Sequence, residues 1–230
     1  MTAKYRAVIF DLFGTLVDFS PLHLQEALER VADVLGVSTE AFKEAEYVAF
    51  AEVGNSPDPG AVLSRACEII GYPPTPEALR TALELWRGFT LTWLSPRPGV
   101  ADAIAELSAR DMKIGLISNC DGMVPLVWPR SDLAELIDVP VFSSTEQVMK
   151  PDPAIYELAT KRLGCAPSEC LFVGDGSSTE LTGAVGAGMA AVQLLVDGEG
   201  ADVGLWLQRQ EWNGRVLRRF SEVVEAVLDA

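Results

Sequence analysis

Short apolar runs and longer stretches of helical periodicity follow one another along the chain. The first short run, Tyr5 to Phe10, predicts a buried β-strand. In the next four stretches apolar residues recur every three or four positions, as in a helix with one buried face. These predicted helices begin near Ser20-Pro21, Thr39, Pro59 and Thr75-Pro76, and they extend to Gly36, Val53, Ile70 and past Trp86. A serine or threonine followed by proline is typical of a helix start.

From residue 98 onward the pattern changes to short strands that alternate with helices. The predicted elements are a helix over 99–111, a strand over 113–119, a helical stretch from Leu126 to Ile137, a strand over 140–144, a helix from Pro153 to Leu163, a strand over 170–175, a helix from Glu180 to Ala187, a strand over 190–195, and a short strand with a closing helix over 215–230. Such alternation predicts βαβ units and a parallel sheet. We therefore expect an α/β fold in which a Rossmann-like three-layer core (residues 1–17 and 98–230) carries a small all-α cap domain (residues 18–97).

The amino-acid composition excludes several classes of binding partner and metal site. With 18 basic and 33 acidic residues, the formal net charge is −15, which would repel nucleic acid. The single histidine, His23, excludes a multi-histidine metal site. Four cysteines without a CxxC pair predict reduced thiols. No apolar run reaches the 18 residues that a membrane-spanning helix needs, and the N-terminus lacks the pattern of a signal peptide. We expect a cytoplasmic protein with no membrane partner.

Four of the predicted strand ends carry polar groups that are suited to chemistry. Asp11 follows the first strand, and Ser118 and Asn119 end the second. Lys150 follows the third strand, and Asp175 and then Glu180 follow the fourth. Since ligands bind beyond the carboxyl ends of the strands in open α/β sheets, we expect all of these groups to converge at one edge.

The residue types at these strand ends, and their order along the chain, resemble the motifs of the haloacid dehalogenase superfamily. The matching segments are DLFGTL (11–16), ISN (117–119), KPDP (150–153) and GDGSSTE (174–180), in a chain that also has the helical insert after its first strand. The resemblance implies a hydrolase in which Asp11 is the nucleophile and Ser118 binds an oxygen of the transferred group. It also implies that Lys150 neutralises developing charge and that Asn119 assists substrate binding. Gly14 would allow close approach of the backbone to the substrate.

The same resemblance implies a Mg²⁺ cofactor. In phosphatases of the superfamily the ion is held by the nucleophile, a backbone carbonyl two residues later and the first acid of the last motif, here Asp11, Phe13 and Asp175. Glu180 stands where the family often has aspartate, and whether it binds the ion directly or through water stays open. Oxygen ligands and retained waters suit Mg²⁺.

Phe13 departs from the pattern of most phosphatases in the superfamily, which carry a second aspartate at this position. That acid protonates the leaving group, a contribution of about 10²–10⁴ in rate that Phe13 cannot make. Three alternatives follow: a Mg²⁺-dependent phosphatase with weakened acid–base catalysis, a 2-haloacid dehalogenase, whose relatives have an aromatic residue here, or a binding protein with little catalysis. Phe13 would also pack under the cap, at the substrate.

The expected substrate is a small anionic molecule, and the sequence allows a monomer or a homodimer. Candidate contacts from the cap side are Trp93, Trp128 and the loop over 55–58.

Overall fold

The computed structural model describes residues 4–18, 21–196 and 209–228. The strands are β1 (Ala7–Phe10), β2 (Lys113–Ser118), β3 (Val139–Phe142), β4 (Cys170–Gly174), β5 (Ala190–Leu194) and β6 (Val216–Leu217). The helices are α1 (Pro21–Leu35), α2 (Thr39–Val53), α3 (Ala61–Ile70), α4 (Pro76–Trp93), α5 (Val100–Ser108), α6 (Met123–Val127), α7 (Ser143–Glu146), α8 (Pro153–Leu163), α9 (Glu180–Gly186) and α10 (Phe220–Leu228). The described helices include none that is long and apolar enough to span a bilayer.

The six strands form one parallel sheet in the order β3-β2-β1-β4-β5-β6. The first strand of the chain therefore lies inside the sheet, hydrogen-bonded to β2 on one side and to β4 on the other. This order brings the ends of β1, β2 and β4 side by side, as the convergence of the strand-end residues requires.

Both faces of the sheet are covered by helices, which confirms the predicted three-layer core. Side chains alternate along β1, so that Val8 and Phe10 join one apolar cluster, whereas Ala7 and Ile9 join another. Helices α5 and α10 pack together on the first face, and α8 and α9 contact the strands on the second. Burial of these apolar faces is the main favourable contribution to the fold.

The four helices after β1 form the cap, and they pack on one another through α1–α4, α1–α2 and α2–α3 contacts. The chain leaves and re-enters the core through two adjacent segments. Val17 pairs with Pro96, and the amide of Arg97 donates to the carbonyl of Leu16 at 2.9 Å. The division of the domains at residues 17 and 98 stays a prediction.

Several predicted boundaries need correction. The helical stretch expected from Leu126 to Ile137 is wrong: α6 ends at Val127, a short 3₁₀ turn covers Trp128–Arg130, and turns follow. Pro129, which has no amide hydrogen, ends the α-helical hydrogen bonding. The first strand begins at Ala7 rather than Tyr5. Ser20, the expected cap of the first helix, lies outside the described residues.

Other local predictions are confirmed. Thr75 caps α4 by accepting a hydrogen bond from the amide of Ala78, and Pro76 is the first helical residue. All four cysteines are free thiols: Cys67, Cys120 and Cys170 are buried and Cys165 is partly exposed. Burial raises the pKa of Cys120 to about 12, so this thiol beside Ser118 stays protonated near neutral pH.

Candidate active site

Asp11 occupies the position immediately beyond β1, at the edge where neighbouring strands end. Its amide donates to the carbonyl of Val173 at 2.9 Å, which fixes the backbone against β4. Its carboxylate is 4 % exposed and accepts hydrogen bonds from Lys150 Nζ at 2.5 Å and from the Thr15 hydroxyl at 3.0 Å. Burial raises the pKa of Asp11, Lys150 opposes the rise, and the charge of Asp175 adds to it.

Lys150 lies between two carboxylates rather than in solvent. Its ammonium contacts Asp11 and also donates to Glu180 Oε2 at 2.6 Å, and only 3 % of the residue is exposed. Burial acts to lower the pKa of Lys150, but the two carboxylates outweigh burial and raise it. The lysine is therefore a permanent buried cation next to Asp11.

The side chain of Asn119 holds the backbone that carries Lys150. The Asn119 amide nitrogen donates to the Lys150 carbonyl at 3.0 Å, and the Asn119 oxygen accepts from the Lys150 amide at 2.8 Å. This pair of bonds joins the end of β2 to the loop before α8. Sequence reasoning expected Asn119 at the substrate, and its side chain also positions the lysine.

Asp175 and Glu180 complete a cluster of three acids. Asp11, Asp175 and Glu180 are all buried, and each offers one oxygen within 4.8 Å of the others. Burial first, and the charge of Asp11 second, raise the pKa of Glu180 well above its ordinary value, with Lys150 acting in the opposite direction. Such an all-oxygen donor set fits a hard divalent cation.

Backbone groups and one arginine hold the two later acids in place. Asp175 accepts from the Ser177 amide at 2.9 Å and from Arg209 Nε at 2.9 Å, while Glu180 Oε1 accepts from the Gly176 amide at 3.0 Å. Gly174 makes room for Glu180, since a Cβ there would lie 2.1 Å from Glu180 Oε1. Two cations, Lys150 and Arg209, thus already offset part of the negative charge of the cluster.

The remaining predicted residues lie at the same edge. Ser118 ends β2 and is buried, and Gly14 has φ +81°, a left-handed conformation that favours glycine. Phe13 is half-buried and lines a cavity together with Asp11, Asn119 and Lys150. The structure therefore gathers the predicted strand-end residues in one region.

The cavity lies between the cap and the core and has a volume of about 200 Å³. Its lining comprises the core residues Asp11, Phe13, Asn119, Cys120, Asp121, Val124, Met149, Lys150, Ser177 and Ser178 and the cap residues Leu24, Glu46, Phe50, Trp86, Thr90 and Trp93. Of the expected cap contacts, Trp93 lines it. Trp128 does not, and packs instead edge-on against Phe142.

The loop over 55–58 is also not part of the lining, and it contacts the core beside the cavity. The Asn55 carbonyl accepts from Gln147 Nε2 at 2.7 Å, and a Cβ on Gly122 would lie 2.4 Å from the Pro57 carbonyl oxygen. The loop therefore acts as a cap–core contact in this structure.

A family model described as haloacid dehalogenase-like hydrolase matches residues 5–188. The chain belongs to the haloacid dehalogenase-like hydrolase family. It is thus a hydrolase by family, with the α/β core and helical cap described above.

Relatives of this hydrolase have phosphatase and dehalogenase names. It is 28 % identical over 199 residues to glyceraldehyde 3-phosphate phosphatase of Methanopyrus kandleri, covering 82 % of this chain and 83 % of that one. It is 29 % identical over 215 residues to phosphoglycolate phosphatase of Escherichia coli, covering 82 % and 81 %. The solved structure of 2-haloacid dehalogenase from Pseudomonas syringae pv. Tomato is 26 % identical, with a TM-score of 0.72 and 98 % of each chain covered.

Several residues around the candidate site were not predicted from the sequence. Glu46 is one whose position carried a signal: it lies four residues after Phe42 and three before Ala49, on the buried stripe of α2. An acid on an apolar stripe indicates a buried polar role. Thr15 and Arg209 carried no comparable signal, because their contacts with Asp11 and Asp175 are visible only in the fold.

Proposed function

We propose that this hydrolase releases phosphate from a small phosphorylated metabolite, with Asp11 as the nucleophile and Mg²⁺ as the cofactor. The observation that carries the proposal is the buried Asp11 carboxylate held by Lys150 at 2.5 Å beside two further acids. The relatives named as phosphatases support phosphoryl chemistry. The cavity between cap and core has Asp11 and Lys150 in its lining and is the place for such a substrate.

In this proposal an oxygen of Asp11 attacks phosphorus, and the bond from phosphorus to the ester oxygen breaks. The ester oxygen leaves with the electron pair and takes a proton to become an alcohol. Water then attacks the phosphorus of the aspartyl phosphate, which releases inorganic phosphate and restores the carboxylate. Splitting one difficult displacement into two easier ones is the general benefit of a covalent intermediate.

The neighbouring side chains have distinct parts in these steps. Lys150 offsets negative charge beside Asp11, and the Ser118 hydroxyl donates to an oxygen of the phosphoryl group. Asn119 holds the lysine backbone through its two hydrogen bonds. Phe13 has no proton to give, so the ester oxygen must take its proton from water or from the substrate.

For Mg²⁺ we propose Asp11, Asp175, Glu180 and the carbonyl of Phe13 as the residues that hold the ion. The three acids fit, because their oxygens lie within 4.8 Å of one another and are hard ligands. When bound, the ion supplies positive charge to the phosphoryl oxygens. Glu180 accepts a hydrogen bond from Lys150 at 2.6 Å, so it would be shared between the lysine and the ion.

A second candidate function is 2-haloacid dehalogenation, favoured by Phe13 and by the ion pair between Arg209 and Asp175. Asp11 would displace halide from carbon 2 and form an ester that water hydrolyses, and halide leaves without a proton. Arg209 would then supply the charge compensation that Mg²⁺ supplies in the first candidate.

One assay separates the two candidates. Phosphate release from p-nitrophenyl phosphate and chloride release from 2-chloropropionate are measured side by side, each with Mg²⁺ and with a chelator. We expect Mg²⁺-dependent phosphate release, which falls by more than about a thousandfold in Asp11→Asn, whereas Asp102→Asn on the exposed face of α5 keeps it. Turnover retained in Asp11→Asn would reject the nucleophile, and metal-independent chloride release would establish the dehalogenase.

The Phe13→Asp variant tests the consequence of the missing acid. An added carboxyl should raise hydrolysis of ethyl phosphate more than that of p-nitrophenyl phosphate, because the alkoxide is the poorer leaving group. No gain with either ester, while Mg²⁺ still binds, would argue against a phosphatase.

A further inference from the structure

The cavity lining also includes two acids outside the three-acid cluster, Glu46 from the cap and Asp121 from the loop after β2. Both are buried, with 3 % and 8 % of each residue exposed. Burial first, and the charge of Asp121 second, raise the pKa of Glu46 to about 8. Asp11, by contrast, is under the influence of Lys150 and Asp175. Glu46 and Asp121 are therefore a pair distinct from the cluster of Asp11, Asp175 and Glu180.

Glu46 lacks a partner that a buried carboxyl requires. Its Oε2 atom has no hydrogen bond to any residue within 4–18, 21–196 or 209–228. Leaving a buried polar atom unsatisfied is unfavourable, and a second acid nearby increases the cost. The lysine in the cavity lining, Lys150, is already bound to Asp11 and Glu180. A ligand group that enters the cavity beside Glu46 would supply such a partner.

The lining around this pair favours a cationic group over a neutral one. A ligand hydroxyl could bond to Glu46 but would leave its ionisation opposed by burial and by Asp121, whereas an ammonium would stabilise both carboxylates as anions. Phe50, Trp86 and Trp93 line the same cavity, and aromatic side chains are favourable neighbours for ammonium groups. Trp86 also donates a hydrogen bond to Asp121, which connects the aromatic and acidic groups.

We propose that the substrate carries an ammonium group in addition to its phosphate, and that Glu46 and Asp121 bind the ammonium while Asp11 and Lys150 face the phosphate. This inference rests on the proposed phosphatase function for the phosphate half of the substrate. The ammonium site itself depends only on the cavity residues. The simplest class of substrate that carries both groups is an amino alcohol phosphate.

A comparison of two isosteric esters tests the ammonium site. The wild-type protein should hydrolyse 2-aminoethyl phosphate with a kcat/KM at least about tenfold above that for 2-hydroxyethyl phosphate, as expected for a charged hydrogen bond. In Glu46→Gln this ratio should fall by about tenfold, since the amide keeps the shape and removes the charge. The matched control, Glu44→Gln, removes an exposed charge from the same helix and should keep the wild-type ratio.

Two results would overturn the inference in this assay. Equal losses of kcat/KM for both esters in Glu46→Gln would assign the carboxyl to proton transfer or to hydroxyl binding. A wild-type ratio near one, with clear phosphate release, would reject ammonium recognition while keeping the phosphatase.

A binding measurement separates failure of the inference from failure of the proposed function. Ethylammonium chloride should change the tryptophan fluorescence of the wild-type protein saturably in the millimolar range, beyond the effect of equal sodium chloride, because Trp86 and Trp93 line the site. The change should be lost in Glu46→Gln and kept in Glu44→Gln. Saturable binding without phosphate release from any ester would keep the ammonium site and reject the phosphatase, whereas identical titrations of wild type and Glu46→Gln would reject the site.

Discussion

Replacing Glu46 by glutamine should change how the stability of the protein depends on pH. In the folded protein the pKa of Glu46 is raised from its ordinary value of 4.5 to about 8, first by burial and then by the charge of Asp121. The pKa of Asp121 is raised by burial to about 6, so Asp121 ionises first and its charge opposes ionisation of Glu46. The unfolded chain has neither effect.

The sign and size of the change follow from proton linkage. Between about pH 4.5 and about pH 8 the folded state keeps a proton on Glu46 that the unfolded state releases, so stability falls as pH rises through this window. The difference between about 8 and 4.5 is about 3.5 units, and at 1.36 kcal/mol per unit the loss is about 5 kcal/mol. Glutamine does not titrate, so the variant should escape this loss.

Urea unfolding followed by tryptophan fluorescence measures the effect. The free energy of unfolding of Glu46→Gln minus that of wild type should rise by about 1.4 kcal/mol per pH unit across the window and level off above about pH 8. Taking this difference cancels the titration of groups that both proteins share. Glu44→Gln, on the exposed face of the same helix, should give a nearly constant difference. A constant difference for Glu46→Gln as well would refute the argument that the carboxyl is buried and unpaired.

Two further substitutions test the packing and charge of the acid cluster. Gly174→Ala places a Cβ 2.1 Å from Glu180 Oε1, so it should displace that carboxylate, reduce turnover and cost about 1–3 kcal/mol in urea unfolding. Gly186→Ala is the control: beyond its own helix backbone and chain neighbours, no described residue comes within 4 Å of its Cβ, so it should be neutral or slightly stabilising. Arg209→Gln removes the cation that lies 2.9 Å from Asp175 and should tighten Mg²⁺ binding several-fold in calorimetric titration.

Each of these two predictions has an outcome that would contradict it. Wild-type stability and turnover in Gly174→Ala would mean that Glu180 does not need its observed position. Unchanged or weaker Mg²⁺ binding in Arg209→Gln would mean that the arginine supports the acids rather than competing with the ion. Arg215→Gln removes an exposed charge from the same segment and serves as the control.

The sequence was sufficient to predict the fold because local and long-range preferences agree. Continuous apolar runs became buried strands, and threonine followed by proline marked the start of α4, as expected. The error between Leu126 and Ile137 arose where apolar periodicity persisted through Pro129, which the α-helix does not tolerate. The apolar periodicity of this segment reflects the burial of its side chains, whereas the proline prevents a continuous α-helix.

The candidate site was predictable only where it lies on strand ends. A parallel sheet brings such positions together whatever lies between them, so Asp11, Lys150 and Asp175 could be grouped from the sequence. The position of Glu46 depends on how the cap packs on the core, and that of Arg209 on a contact with a residue 34 positions earlier. The apolar stripe of α2 signals that Glu46 is buried but not what it faces, and the contact of Arg209 has no local pattern at all.

Because β1 pairs with strands that come much later in the chain, the contacts of Asp11 form late in synthesis. Asp11 is made among the first residues, yet its ammonium partner is 139 positions later and Glu180 follows a further 30 residues on. The cap helices, by contrast, all lie within residues 21–93 and can pack on one another before Lys150 is made. A ribosome must therefore complete most of the polypeptide before the Asp11 carboxylate can meet Lys150, so shorter translation products lack this buried ion pair.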